Sequence, residues 1–204
     1  MDTSAIAQLL EPYIQLNESR LSVISKYIDL LLKWNARMNL TAIREPNEMV
    51  QRHFGESFFA ANYLLKQKPV SSAIDLGSGA GFPGMPLAIL APEVQITLIE
   101  AHQKKATFLR ELIAQLGIKN VRVFADRGQK LGQEADLVAM RAVENFSQVL
   151  PVAVRLANAG GRVVLMIGAS QIEEAKSVEK AVEWGEPVHV PGGHSRIVLA
   201  GIKR

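Results

Sequence analysis

Ten consecutive residues, Asp75-Leu76-Gly77-Ser78-Gly79-Ala80-Gly81-Phe82-Pro83-Gly84, carry the densest chemical signal in the chain. An apolar, β-branched run, Val70–Leu76, leads into them, and a helical stretch, Pro86–Leu90, follows. In an open α/β sheet that strand-to-helix turn is where a ligand crevice opens. Glycine suits such a turn because the backbone takes positive φ and must approach the ligand closely. The next apolar run, Val94–Ile99, ends at Glu100, whose carboxylate can accept both hydroxyl hydrogens of a ribose. Two nucleoside cofactors compete for a turn of this kind. A dinucleotide needs G-x-G-x-x-G, but counted from Gly77 the third glycine is replaced by Phe82. A carboxylate at Asp75 would also repel a pyrophosphate. S-adenosylmethionine has no phosphate, and its ammonium and sulfonium favour a nearby carboxylate. The pattern therefore favours S-adenosylmethionine over NAD, with Asp75, Gly77, Ser78, Gly79, Gly81, Phe82 and Glu100 as its candidate residues. The plain alternative is a structural turn beside a solvated Glu100. Ser78 is not read as a hydrolase nucleophile, because G-x-S-x-G is absent.

The methyl acceptor is narrowed by what is missing. Enzymes that methylate exocyclic amines of adenine place an Asp/Asn-Pro-Pro-aromatic run after the fourth strand; here the run is Met140-Arg141-Ala142-Val143. Methylation at a pyrimidine carbon needs a Cys nucleophile, and the chain has none. An acceptor with its own in-plane lone pair, such as guanine N7, needs neither device, only alignment and exclusion of water. Hydroxyl and small-molecule acceptors survive the same elimination. Arg141 stands at a strand–helix junction and matches guanine O6, a phosphate or a cofactor carboxylate; the alternative is a structural salt bridge. Three readings stay open on the residues alone: an RNA methyltransferase, a small-molecule methyltransferase lidded by its helical region, and a non-catalytic RNA-binding protein on the same fold.

The elements that must hold these residues are legible as two regions. The 204 residues are 48% apolar, enough for one large domain or a domain with an extension. Residues 3–66 read as helical: a first helix capped by Thr3 or Ser4 and ending near Pro12, a second carrying Leu21, Ile24, Ile28 and Leu31 at helical spacing, and a third from Pro46 to Leu65. The boundary falls at 68/69, with residues 1–68 as a helical extension and 69–204 as the cofactor-binding domain. There strands at Val70–Leu76, Val94–Ile99, Asn120–Phe124, Asp136–Met140 and Arg162–Ile167 alternate with helices at Pro86–Leu90, Lys104–Leu116, Glu144–Ala157 and Gln171–Val182. That alternation predicts a Rossmann-like α/β fold with a mostly parallel sheet. Pro187–Val190 and Arg196–Ile202 suit a hairpin, hence an antiparallel strand at the sheet's end. No apolar run approaches 18 residues and Met1–Leu10 lacks a basic leader, so neither a membrane span nor a secretory signal is expected, and a cytoplasmic protein is.

Charge adds a second theme. The net charge of +3 is mild, yet Ala101–Lys130 holds seven Lys or Arg against two acids. If half of them share a face, they form a track for phosphates. His53, Glu56, His189 and His194 make a poor metal set, so no metal is expected.

These motifs resemble one family. The run Gly77-Ser-Gly-Ala-Gly-Phe-Pro-Gly-Met-Pro-Leu-Ala-Ile, the upstream Met38-Asn-Leu-Thr-Ala-Ile-Arg-Glu-Pro, Arg52-His53 with Glu56-Ser57, and Arg141-Ala142 resemble the bacterial ribosomal RNA small-subunit methyltransferase G family (RsmG, also called GidB), from about Trp34 onward. The resemblance implies S-adenosylmethionine as cofactor, 16S rRNA or the small ribosomal subunit as partner, a monomer, and N7-methylation of one guanosine. By position it implies Gly77 and Phe82 beside the methionine and ribose, Gly128 and Gln129 beside the adenine, and Arg141 at the cofactor–substrate junction. It also makes His53 a candidate catalytic group with Arg141, and Arg52 and His53 candidate RNA contacts, to which Arg196 is added as an extension of the basic track. The chain departs from the family pattern at Gln129, Met140 and Ile167.

Overall fold

A computed structural model describes residues 1–193 and 195–204. The chain opens with helices α1 (Thr3–Leu10), α2 (Glu18–Asn35) and α3 (Pro46–Glu48), then a π-helical segment, Met49–Gly55, that runs straight into α4 (Glu56–Gln67). Strands β1 (Ser72–Leu76), β2 (Gln95–Ile99), β3 (Val121–Phe124) and β4 (Ala135–Arg141) follow, interleaved with α5 (Gly84–Leu90) and α6 (Gln103–Leu116). Then come α7 (Phe146–Leu156), β5 (Ala157–Gly168), α8 (Ile172–Val178), β6 (Val182–Trp184), β7 (Val188–His189) and β8 (Arg196–Lys203).

The sheet order is β3-β2-β1-β4-β5-β8-β6, with β7 paired on β8. Strands β1 to β5 pair in parallel, and β8 runs antiparallel to β5 and β6. The expected antiparallel strand is therefore present, but it lies inside the sheet: the edge is β6, which begins at Val182, the last residue of the helix expected from sequence. Side chains alternate across the sheet. Ala73, Leu98, Leu137, Ala139, Val164 and Met166 face one layer, and Ile74, Ile99, Val138, Met140, Val163 and Leu165 face the other. Burial on both faces explains why these strands read as unbroken apolar runs.

The second layer is α7 and α8. The first combines α5 and α6 with the N-terminal helices, whose Ile6, Leu10, Ile24, Ile28, Phe54 and Phe58 belong to the same apolar cluster as the sheet. Polar ties fix this docking. Arg162 of β5, 6% exposed, donates to the carbonyls of Leu64 and Lys68 at 2.7 Å each, so the strand caps the C-terminal end of α4. Helix α1 is capped by the Asp2 carboxylate, one residue before the position expected from sequence. No helix of the described residues is long and apolar enough to cross a membrane.

Candidate functional site

The glycine turn sits at the C-terminal end of β1, beside β2. Gly77 and Ser78 donate their N–H groups to the carbonyl of Ile99, at 3.0 and 2.9 Å, which splices the turn onto the neighbouring strand. Gly77, Gly79 and Gly81 all take positive φ, +78°, +56° and +96°. Glu100 secures the bend: one carboxylate oxygen accepts from Gly79 N–H at 2.9 Å and the other from His102 N–H at 2.7 Å. Each oxygen keeps a lone pair for a further donor. From the other side, the buried Tyr27 of α2 donates its hydroxyl to the carbonyl of Ala80 at 2.5 Å. The turn is thus gripped by an acid from the sheet and a phenol from the helical extension.

Two regions flank it. On one side a cleft of about 470 Å³ is bounded by Leu76, Gly77, Ile99, Val143 and Val149, with Asp126, Gln129 and Asn145 as polar lining. Gly128 is buried beside it, where a Cβ would meet Leu76 and Val152. Of the residues expected to hold the cofactor, Gly77, Gly128 and Gln129 line this cleft. Asp126, Val143 and Asn145 were not singled out from sequence. The left-handed backbone at Ala142 and Asn145, φ +47° and +53°, brings the latter two in; Asn often adopts that conformation, whereas Ala142 gives no sign of it.

On the other side lies an aromatic and ionic wall. The Phe82 ring stacks on Tyr27 (centroids 5.3 Å apart, 10° between planes) and on His53 (4.9 Å, 21°). His53 Nε2 is 2.7 Å from Thr41 Oγ1, and Thr41 is itself positioned by its N–H bond to Asn35 Oδ1. Arg141, at the end of β4, reaches into the π-helical segment. It donates to the carbonyls of Arg52 (2.5 Å) and His53 (3.4 Å), to Ser57 Oγ (3.3 Å), and to Glu56 Oε2 (2.9 Å). Arg196 Nε stands 2.5 Å from Glu56 Oε1 as an ion contact without hydrogen-bond alignment. A buried carboxylate therefore lies between two arginines, while Arg52 pairs with Glu48 on the half-exposed rim. Arg141 meets the salt-bridge alternative and clamps the segment that carries His53. Thr41 and Asn35 join the site only through the fold, since nothing in their spacing links them to His53.

Asp75 takes a different place from the one its position in the turn suggests. It is 1% exposed, accepts from Gly84 N–H at 2.9 Å, and lines a small apolar cavity of about 20 Å³ between the sheet, α4 and α5. Ser78 is also inward, donating to the carbonyl of Asp75 at 3.0 Å. Among the described residues no group of three His, Asp or Glu is placed to hold a metal ion; His194 lies outside them.

Burial gives the two inner titratable groups opposite pH signatures. Asp75 is pushed up from 3.8 to about 7, chiefly by burial, so its proton is held in the fold after the unfolded chain has lost it. Its contribution falls as pH rises through that window. His53 is lowered from 6.5 to about 3, first by burial and then by the charges of Arg141 and Arg52. Its contribution is lost as pH falls through that range, so stability rises with pH there. The two slopes oppose each other between about pH 4 and 6.5. Asp75→Asn should leave the His53 slope alone, and urea midpoints should then climb more steeply with pH than in the wild type. Parallel profiles would show that Asp75 ionises in the fold without cost.

Known proteins bear on this geometry. The family model of rRNA small subunit methyltransferase G matches residues 20–197. The chain is 36% identical over 199 residues to the ribosomal RNA small subunit methyltransferase G of Chloroflexus aggregans, covering 91% of this chain and 83% of that one. It is 40% identical over 169 residues to that of Xylella fastidiosa, covering 81% and 78%. Among solved structures, a SAM-dependent methyltransferase from Aquifex aeolicus superposes with a TM-score of 0.63 at 16% identity, over 81% of this chain and 97% of that one. TrmN from Thermus thermophilus does so with 0.62 at 18%, over 76% and 53%. The structural likenesses show the Rossmann-like methyltransferase fold read from the strand–helix alternation. With the family match spanning the glycine turn, the π-helical segment and Arg141 alike, the chain belongs to the rRNA small subunit methyltransferase G family.

Proposed function

We propose that the protein transfers the methyl group of S-adenosylmethionine to N7 of one guanosine in 16S rRNA, within the small ribosomal subunit or its precursor. Its family membership supports the rRNA substrate, and the grip on the glycine turn supports the cofactor. The observation that carries the reading is the three-glycine bend, tied to Glu100 on the sheet and opening onto the apolar-walled cleft.

The residues present fit the cofactor. Leu76, Ile99 and Val149 offer apolar walls to a purine, and Gln129 with the backbone at Gly128 borders its edge. Glu100 retains lone pairs for ribose hydroxyls. Once bound, S-adenosylmethionine supplies an electrophilic methyl on a sulfonium. The chain's own residues then orient the acceptor and exclude water. N7 carries no proton, so no base is needed before attack, and catalysis rests on alignment. Positive charge grows on the purine as the bond forms, and a cationic neighbour would oppose it. His53, held uncharged at neutral pH, adds none. Glu56 offsets one of the two charges of Arg141 and Arg196, and the remaining positive charge is available to an RNA phosphate. His53 and Phe82 form the wall toward the base, Arg141 positions the segment bearing His53, and Arg52 and Arg196 face the RNA backbone. An enzyme with this substrate works in the cytoplasm.

The test is direct. Protein is incubated with S-adenosylmethionine labelled at the methyl carbon and either naked 16S rRNA or assembled small subunits, and the digested RNA is mapped by mass spectrometry. One labelled 7-methylguanosine is the expected product. Cofactor binding without label in either RNA would overturn the reading.

A further inference from the structure

The basic excess in Ala101–Lys130 is not used by the site above, and the fold gathers part of it in one place. Strand β3 is the open edge of the sheet. Between it and α6 runs a groove of about 410 Å³, walled by Ile113, Ile118, Val121 and Val123 and rimmed by Arg110 and Lys119. These two cations come from a helix and the loop that follows it, and both are exposed. No acid lines the groove. Glu111, the acid on α6, accepts a hydrogen bond from Gln115, and the Asp126 carboxylate is paired with Lys130 at 3.0 Å. Arg122 turns its guanidinium to the other face of the sheet, donating Nε to Thr97 Oγ1 at 2.9 Å and a second nitrogen to Gln133. Lys104 and Lys105, in the first turn of α6, lie more than about 100° around the helix from Arg110 and stand outside the groove.

We infer that the α6–β3 groove is a second RNA contact surface, which holds the phosphate backbone of the substrate rRNA away from the target base. It rests on the proposed rRNA substrate and extends it. Arg110 stands about 9 Å of helix rise before the end of α6 and Lys119 follows that end, so the two cations are spaced to meet successive phosphates. Phosphates suit it because the cations rim a groove without specific base-edge partners, an arrangement that positions RNA without reading its sequence. Charged side chains on an edge strand also discourage sheet-to-sheet association. That role predicts aggregation when the charges are lost and leaves RNA kinetics unchanged.

The experiment compares wild type, the double variant Arg110→Gln/Lys119→Gln, and a charge-matched control, Lys176→Gln/Lys180→Gln, on α8 and the turn after it, beyond the other face of the sheet. Methylation of 16S rRNA is followed from about 50 to 200 mM salt, and RNA binding is followed in parallel by fluorescence anisotropy. Two lost phosphate contacts should raise KM for RNA about tenfold at the low-salt end and flatten the log–log salt dependence by about 1.4–1.8. kcat and the affinity for S-adenosylmethionine should stay at wild-type values, and the control should match wild type. A groove variant with wild-type KM and salt slope, or one that falls no further than the control, overturns the inference. If wild type methylates no RNA, the proposed reaction fails, and the anisotropy series alone then judges the groove by the same difference in slope.

Discussion

Arg141→Met should destabilise the protein by about 3–5 kcal/mol, the usual result of breaking a buried ion pair from one side. Glu56 is 2% exposed and shares its carboxylate between Arg141 and Arg196. With Arg141 gone, Arg196 alone faces a charge that water reaches poorly, and the carbonyls of Arg52 and His53 lose a charged donor. Glu56→Gln added to Arg141→Met replaces a buried carboxylate, whose remaining partner Arg196 is not aligned for a hydrogen bond, by a neutral amide and should recover part of the loss. Urea denaturation of the two variants checks this. A double variant no more stable than Arg141→Met would show that the backbone clamp, rather than the ion pair, holds the segment. Methyl transfer should fall in both variants, because either one releases the backbone that carries His53.

Gly81→Ala should cost more in cofactor binding than the same change at Gly77 or Gly79. Gly81 has φ +96°, well outside the conformations that L residues adopt easily, and its added Cβ would overlap the Tyr27 hydroxyl and crowd Met85 Cγ at 2.8 Å. Strain of about 1–3 kcal/mol is expected from the backbone alone. Displacing Tyr27 would add the loss of its hydrogen bond to Ala80 and disturb the ring beneath Phe82. Affinity for S-adenosylmethionine should drop by about a hundredfold, which corresponds to about 3 kcal/mol. Gly79→Ala is the contrast: its φ of +56° lies in the ordinary left-handed region and its Cβ meets only a carbonyl at 3.9 Å. That change should cost about 1–2 kcal/mol. Calorimetric titration of both variants measures the gap, and equal losses would mean that φ alone decides.

What the residues foretold and what they hid follows from the range of the forces involved. Strands β1 to β5 were legible because parallel strands buried on both faces must be nearly all apolar. The glycine turn was legible because positive φ is written into residue type. Strand β6 escaped because it is three residues long with Glu183 in the middle, and it is held by pairing with β8 rather than by a pattern of its own. The π-helical segment escaped because its apolar spacing is close to that of an α-helix. Contacts with distant residues mark it instead, Arg141 on its carbonyls and the Tyr13 ring against Gly55, where a Cβ would stand 2.6 Å from the ring. The inward turn of Asp75 was hidden for the same reason, since its partner Gly84 lies across the bend and the choice between cleft and core is made by packing. Arg141 was placed at the correct junction, but its counter-ion lies 85 residues earlier in the chain, beyond any local signal.

Tyr27 has a consequence for anyone who would shorten or recombine this protein. Its hydroxyl on Ala80 and its ring against Phe82 make the first sixty-odd residues part of the floor under the nucleotide-shaped bend. A truncation beginning at β1 would keep every glycine of the bend and lose the post they are moored to. Grafting the front helices of a relative onto this sheet should preserve function only when the donor brings an aromatic hydroxyl to the same spot.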